Sequence, residues 1–216
     1  MAEQDLDEGT AWAIAEGRHG DPFSVLGPHR HGKGWLITAF VPGAERLWLL
    51  SGKKAEEAAP YPGIPGLFTH RQPRRAAYRL RAAGHGAEWE FEDPFRFGPV
   101  LGEMDEYLLG EGTHRRLWQV LGAHCIVHDG VEGVHFAVWA PNAERVSVVA
   151  VSLNRNGRRH PRRRRGATGG WEIFMPGLQE GETYKYEIRG PGGALMPLKA
   201  DPVGFGSEHR PANASV

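Results

Sequence analysis

The chain has 216 residues, 40% hydrophobic and 24% charged, with 26 basic residues balanced by 26 acidic ones, the profile of a globular protein with one large domain or two ordinary ones. Its zero formal charge argues against a dedicated nucleic-acid binder, and no apolar run reaches the roughly 20 residues that cross a bilayer. The single cysteine, Cys125, excludes an internal disulfide and a multi-thiolate zinc site.

The first residues include Glu3, Asp5, Asp7 and Glu8, unlike the basic start and apolar core of a signal peptide, so a cytoplasmic location is expected. In "TAWAIAEG", Trp12, Ala15 and Glu16 follow a helical period, with Thr10 as N-cap and Gly17 as stop. A strand–turn–strand pattern follows in "TAFVPGAERLWLL", Thr38 to Leu50. Further on, Tyr78 and Leu80 alternate with Arg79 and Arg81, and Ala87, Trp89 and Phe91 alternate with three glutamates. A period of two buries one face of a strand, and Trp35, Trp48 and Trp89 read as core. "GTHRRLWQVLG" predicts a helix, with Thr113 as N-cap, Leu117, Val120 and Leu121 on one stripe, and Gly122 as terminator.

The second half repeats the first. "FAVWAPNAERVSVV", Phe136 to Val149, matches Thr38 to Leu50; Leu121-Gly122-Ala123-His124 matches Leu26-Gly27-Pro28-His29; and Asp201-Pro202 matches Asp93-Pro94. Val134, Phe136 and Val138 alternate with His135, Ala137 and Trp139, and Tyr184, Tyr186 and Ile188 with Lys185, Glu187 and Arg189. Asp129-Gly130 marks a tight hairpin. Short alternating strands between Gly and Pro turns give the fold class as mostly β: two tandem immunoglobulin-like antiparallel β-sandwiches with a short N-terminal helix and a linking helix. The expected divisions are an N-terminal helical segment, 1–18, a first sandwich, 19–105, a linking helix, 106–122, and a second sandwich, 123–216. Between Glu144 and Glu172 no acidic residue occurs, while Arg155, Arg158, Arg159 and Arg162 to Arg165 all do. With no nucleic-acid motif nearby, this cluster reads as a solvated hairpin whose charges protect a sheet edge. His29 with His31, and His124 with His128, are short-range pairs with no third ligand, so no metal site is expected. Cys125, in an apolar strand, reads as a packing residue.

"EGRHGDPFSVLGPH", "YLLGEGTHRRLWQVLGAH", "GVHFAVWAPNAERVSVV", "GETYKYEIRG" and "PLKADPVGF" occur in this order between Glu16 and Phe205. Together they resemble the amino-terminal portion of bacterial glycogen branching enzymes. The resemblance implies an N-terminal β-domain followed by a carbohydrate-binding module of the isoamylase and glycogen-sensing type. In that family a catalytic (β/α)₈ barrel follows, which needs about 250 residues. No segment of this chain matches the motifs that supply the two catalytic carboxylates of a retaining glycosidase mechanism. The expectation is therefore a non-catalytic part of a 1,4-α-glucan branching enzyme, with no catalytic residues and no cofactor, that positions the barrel or the glucan. The alternatives are a free-standing glucan-targeting module and a truncated product without independent function. Expected partners are the branching-enzyme barrel and, weakly, α-glucan or glycogen, with no nucleic acid and no membrane.

The resemblance also assigns the sugar site. Lys185 matches the family's sugar-facing lysine, and Asn154 matches the asparagine of its binding loop. Asn156 stands where a stacking tryptophan is found in the family, and the second such tryptophan is missing near Ala194. Trp171 is the remaining aromatic candidate for the site, although it and Trp139 read more simply as filling a core or an interface. The module is also expected to leave apolar surface at Leu117, Trp118 and the stretch from Pro197 to Phe205, where the family's barrel packs.

Overall fold

A computed structural model describes residues 6–150 and 162–216. The chain divides into two compact units, Met1–Arg96 and Phe97–Val216. The expectations for Asn154, Asn156, Arg155, Arg158 and Arg159 lie outside the described residues.

The first unit opens with helix α1, Glu8–Ala15. Its N-cap is Asp7 and not Thr10: the Asp7 carboxylate accepts the Thr10 backbone N–H at 2.9 Å. An acidic cap also suits the positive end of the helix better than a hydroxyl. Eight strands follow: β1 Gly27–His31, β2 Gly34–Phe40, β3 Arg46–Ser51, β4 Lys54–Glu57, β5 Ala59–Pro60, β6 Leu67–Gln72, β7 Arg79–Gly84 and β8 Ala87–Phe91. They form two antiparallel sheets, β1-β2-β6-β5 and β4-β3-β7-β8. Ile37, Ala39 and Phe68 of one sheet meet Leu47, Leu49, Leu80 and Ala82 of the other in one core. Trp89 packs half-buried against that core as expected. Trp48 and Trp35 do not join it. Alternation turns Trp48 outward from the buried Leu47 and Leu49, and the Arg46 guanidinium lies 4.5 Å from its ring centre. Trp35 sits beneath Arg75 at 5.6 Å.

In the second unit, α2 spans Glu103–Glu111. The helix expected to start at Thr113 therefore lies upstream. Glu103, Asp105 and Glu106 fill its first turn, and Gly112 ends it in a left-handed conformation with φ of 71°. Thr113 then donates to the Leu108 carbonyl at 3.0 Å, closing the helix instead of opening one. Of the stripe Leu117, Val120 and Leu121, only Leu117 lies in a helical turn, the 3₁₀ turn Leu117–Gln119, which Val120 caps. The strands are β9 Gly122–His128, β10 Val131–Trp139, β11 Arg145–Ala150, β12 Arg163–Arg165, β13 Gly170–Pro176 and β14 Tyr184–Arg189. They pair antiparallel as β12-β13-β10-β9 and β11-β14. The hairpin at Asp129-Gly130 is as predicted, both residues having positive φ. Between the sheets lie Val134, Phe136, Val138, Val146, Val148, Tyr184 and Tyr186, all buried, and the Phe136 and Tyr184 rings meet edge-on at 4.9 Å.

Each repeated motif in the sequence forms the same joint in both units. In the two Pro-x-Ala-Glu-Arg turns, Ala44 donates to the Val41 carbonyl at 3.0 Å and Ala143 to that of Ala140 at 3.1 Å. His29 and His124 each hydrogen-bond the carbonyl three residues back, those of Leu26 and Leu121. Gly27 and Gly122 have φ of +86° and +102°, and a Cβ would lie 2.4 Å from the Phe95 carbonyl oxygen at the first and 3.0 Å from that of Val203 at the second. Asp93 accepts the Tyr78 hydroxyl at 2.5 Å and the Phe95 N–H at 2.9 Å. Asp201 accepts the hydroxyls of Tyr184, at 2.8 Å, and Tyr186, together with the Val203 N–H at 2.9 Å. One folding plan, used twice, accounts for the sequence repeat.

The alternation of β10 predicts a buried face and a solvated one, yet His135 and Ala137, on the second face, are 3% and 0% exposed. The segment that precedes β9 covers them: Leu101, Leu109 and Leu121 pack on Ala137, and the Phe97 ring meets Phe174 edge-on at 4.8 Å.

Candidate functional site

β14 carries the predicted lysine. Its register against β11 pairs Lys185 with Val149 and Tyr186 with Val148, so the two tyrosines at 184 and 186 point into the core and Lys185 points away from it. The Lys185 ammonium donates to the Asn213 side-chain oxygen. Around it lies a shallow hollow of about 130 Å³ with Val149, Thr183, Leu198, Glu208 and Ala214 in its lining. Beside β14 runs an exposed stretch: Tyr186 and Lys199 exchange backbone hydrogen bonds, and Met196 donates to the Ile188 carbonyl at 2.9 Å. Leu195, Met196 and Leu198 on that stretch are 58%, 42% and 46% exposed. The face therefore offers a fixed ammonium donor, a carboxylate acceptor in Glu208, and aliphatic surface. That set suits the hydroxyls and the apolar ring face of a sugar, without an aromatic platform among the described residues.

Trp171 does not reach this face. It is 1% exposed, shares the inward face of the sheet with Val138, and donates its indole N–H to the Ala140 carbonyl at 3.0 Å. Its rings are therefore closed to a sugar. Trp139, which the sequence places in a core or an interface, is 51% exposed, its indole N–H tied to the Thr168 carbonyl at 2.9 Å. It stands on the second face of β10, past the end of the cover that buries His135 and Ala137.

The described part of the arginine cluster is not a solvated hairpin. Arg162 is fully buried, with its guanidinium 4.2 Å from the Tyr186 ring centre and 5.7 Å from that of Phe136. One of its nitrogens donates to the Trp171 carbonyl at 3.2 Å, while Nε and the second terminal nitrogen have no hydrogen-bond partner among the described residues. Arg163 donates to the Phe97 carbonyl at 2.8 Å, and Arg165 binds Glu106, Glu172 and the Leu101 carbonyl. Only Arg164 of the described run is exposed. Arg163 and Arg165 thus bind the covering segment to the sheet, while Arg162 is enclosed within the core.

Glu172 is the centre of that attachment, and sequence reasoning assigned it no role. Its Oε2 accepts N–H groups from Val100, Leu101 and His135, each at 2.9 Å. Burial drives its carboxyl upward, but the His135 bond and the Leu101 and Val100 amides outweigh that and hold it below the ordinary range. Burial also dominates at His135 and pushes its pKa down despite the carboxylate beside it. At neutral pH the pair is thus a neutral imidazole donating to a carboxylate. The available signal was a polar residue inside a run of large apolar ones, "VHFAV" and "WEIFM".

The other buried carboxylates are engaged as well. Burial pushes the Tyr78, Tyr184 and Tyr186 hydroxyls up, so they stay protonated and donate to Asp93 and Asp201. Cys125, expected to pack, is exposed. Among the described residues, no helix is long and apolar enough to cross a membrane.

Residues 7–95 match the family model described as the N-terminal domain of alpha-1,4-glucan branching enzyme, and residues 120–204 match carbohydrate-binding module 48, the isoamylase N-terminal domain. Among curated relatives, the 1,4-alpha-glucan branching enzyme of Roseobacter denitrificans is 53% identical over 98% of this chain. That of Mesorhizobium japonicum is 51% identical over 94% of the chain. The chain spans 30% and 28% of the length of these two relatives. With both matched domains in order, the chain belongs to the 1,4-alpha-glucan branching enzyme family and corresponds to its amino-terminal region, a branching-enzyme N-terminal domain followed by a family 48 carbohydrate-binding module.

Proposed function

We propose that the chain serves α-1,4-glucan branching without performing the chemistry, holding glucan and docking on a branching-enzyme catalytic barrel. The observation that carries this reading is the succession of the two matched domains, 7–95 and 120–204. Its buried carboxylates support a structural role, since Asp93, Asp201 and Glu172 are each committed to internal donors. The Lys185 face takes an α-glucan weakly, through hydrogen bonds and aliphatic contact. Leu117 and Trp118, 39% and 54% exposed, provide apolar surface for the barrel.

Amylose incubated with the purified chain and stained with iodine should keep its absorbance. A fall that scales with protein would refute the non-catalytic reading. In native gels, glycogen should retard the chain slightly and Lys185→Ala should reduce that retardation. A chain that ignores both glycogen and a separately expressed barrel would remove the proposed role.

A further inference from the structure

Beside the Lys185 hollow, with which it shares Tyr184 in its lining, the second unit holds a larger cavity of about 550 Å³, bounded by β9, β10, the 177–183 turn and the tail near Phe205. That volume falls within the roughly 300–1,000 Å³ typical of ligand pockets. Buried Val134 and Phe136 belong to its lining. Phe205 also lines it with a ring that is 60% exposed yet held in place. The His124 ring meets it edge-on at 5.2 Å. Gly122 passes so close that a Cβ there would lie 3.2 Å from the ring. His124 is itself fixed by its bond to the Leu121 carbonyl at 3.0 Å. Gln179, Glu180 and Glu182 bring side-chain amide and carboxylate groups to the lining, and neither glutamate has an ion-pair partner among the described residues. No lysine or arginine lines the cavity.

We propose that this cavity is a second saccharide site, in which one pyranose of a neutral α-glucan stacks on Phe205 while Glu180, Glu182 and Gln179 accept its hydroxyl protons. A held aromatic ring matches the C–H face of a sugar, unpaired carboxylates and an amide match its hydroxyls, and the lack of cations disfavours an anionic ligand. The choice of glucan rests on the functional reading above; the site itself rests on the lining.

Cys125, the only cysteine of the chain, lines the same cavity and is exposed, so its alkylation rate reports occupancy. Maltohexaose should slow the reaction of Cys125 with iodoacetamide in the intact chain, with sorbitol as the viscosity control. Phe205→Ala and Glu182→Gln should each raise the maltohexaose concentration needed, by about tenfold for the ring, the change that loss of a stacking contact brings. Unchanged Cys125 reactivity in a chain that still binds glycogen overturns the cavity site and leaves the glucan reading intact, whereas absence of both effects overturns both. Equal protection in the two variants, or protection that grows with protein concentration without sugar, also overturns it.

Discussion

Replacing Glu172 by alanine should loosen the segment that covers the second unit's sheet. The side chain is 2% exposed and takes three N–H groups on one oxygen, from Val100, Leu101 and His135, each at 2.9 Å. Its other oxygen lies 3.1 Å from Arg165 Nε, a charge contact rather than an aligned hydrogen bond. Leu101 is 4% exposed and His135 3%, so water cannot replace the lost acceptor at those two donors. Each buried donor left unsatisfied costs about 1–3 kcal/mol. The Val100 amide is only partly buried and recovers some of its loss. The sum is about 3–5 kcal/mol, a large share of the roughly 5–15 kcal/mol that holds a domain together. Urea unfolding of Glu172→Ala should show this loss, and limited proteolysis should cut within 103–120 before the sandwich itself. Glu172→Gln retains one acceptor and should lose less. A loss below about 1 kcal/mol with the 103–120 stretch still protected would refute the idea that this carboxylate fastens the cover.

Arg162→Met should hold or raise the urea midpoint, because it removes a fully buried guanidinium with two unpartnered nitrogens and keeps a similar apolar stem; a loss above about 1 kcal/mol would show that its stacking on Tyr186 outweighs the buried charge. Tyr78→Phe should destabilise the first unit by about 1.5–3 kcal/mol by taking a donor from buried Asp93, while Tyr184→Phe should do less harm, since Asp201 retains Tyr186; equal losses would argue against the shared closing joint. Acid should act oppositely on the two units. His135 and Glu172 both have pKa values below their unfolded ones, so their contribution is present above 6.5 and 4.5 respectively and is lost as pH falls through the folded values. Burial raises Asp93, so protonating it stabilises the first unit, an effect fully present below 3.8 and lost as pH rises through its folded value. Amide exchange followed from pH 7 to 4 should show protection falling first in the second unit, and a fall that begins in the first would contradict the assignment.

The repeated motifs by themselves determine much of this protein's local structure. Pro-x-Ala-Glu-Arg, Leu-Gly-x-His and Asp-Pro each carry their local joint with them, because the bonds they make are to backbone a few residues away or to a tyrosine one strand along. Alternation likewise identified the inward faces at Val134, Phe136 and Val138 and at Tyr184 and Tyr186. A period of two states which residues share a face, but it is silent about what lies over the other face. Tertiary packing decided that. The 97–121 segment buries His135, Ala137 and Glu172 on the second face of the sheet, and it leaves Trp139 outside its reach. The same limit explains Trp171 and Cys125. Trp171 sits on the face shared with Val138 and is enclosed, whereas Cys125 pairs with Val134 beside the open cavity and is exposed. Arginines 162 to 165 show it most plainly: identical side chains in one run are buried, bonded or exposed according to what each meets across the fold, because burial depends on contacts between segments distant in the chain, which composition and spacing do not encode.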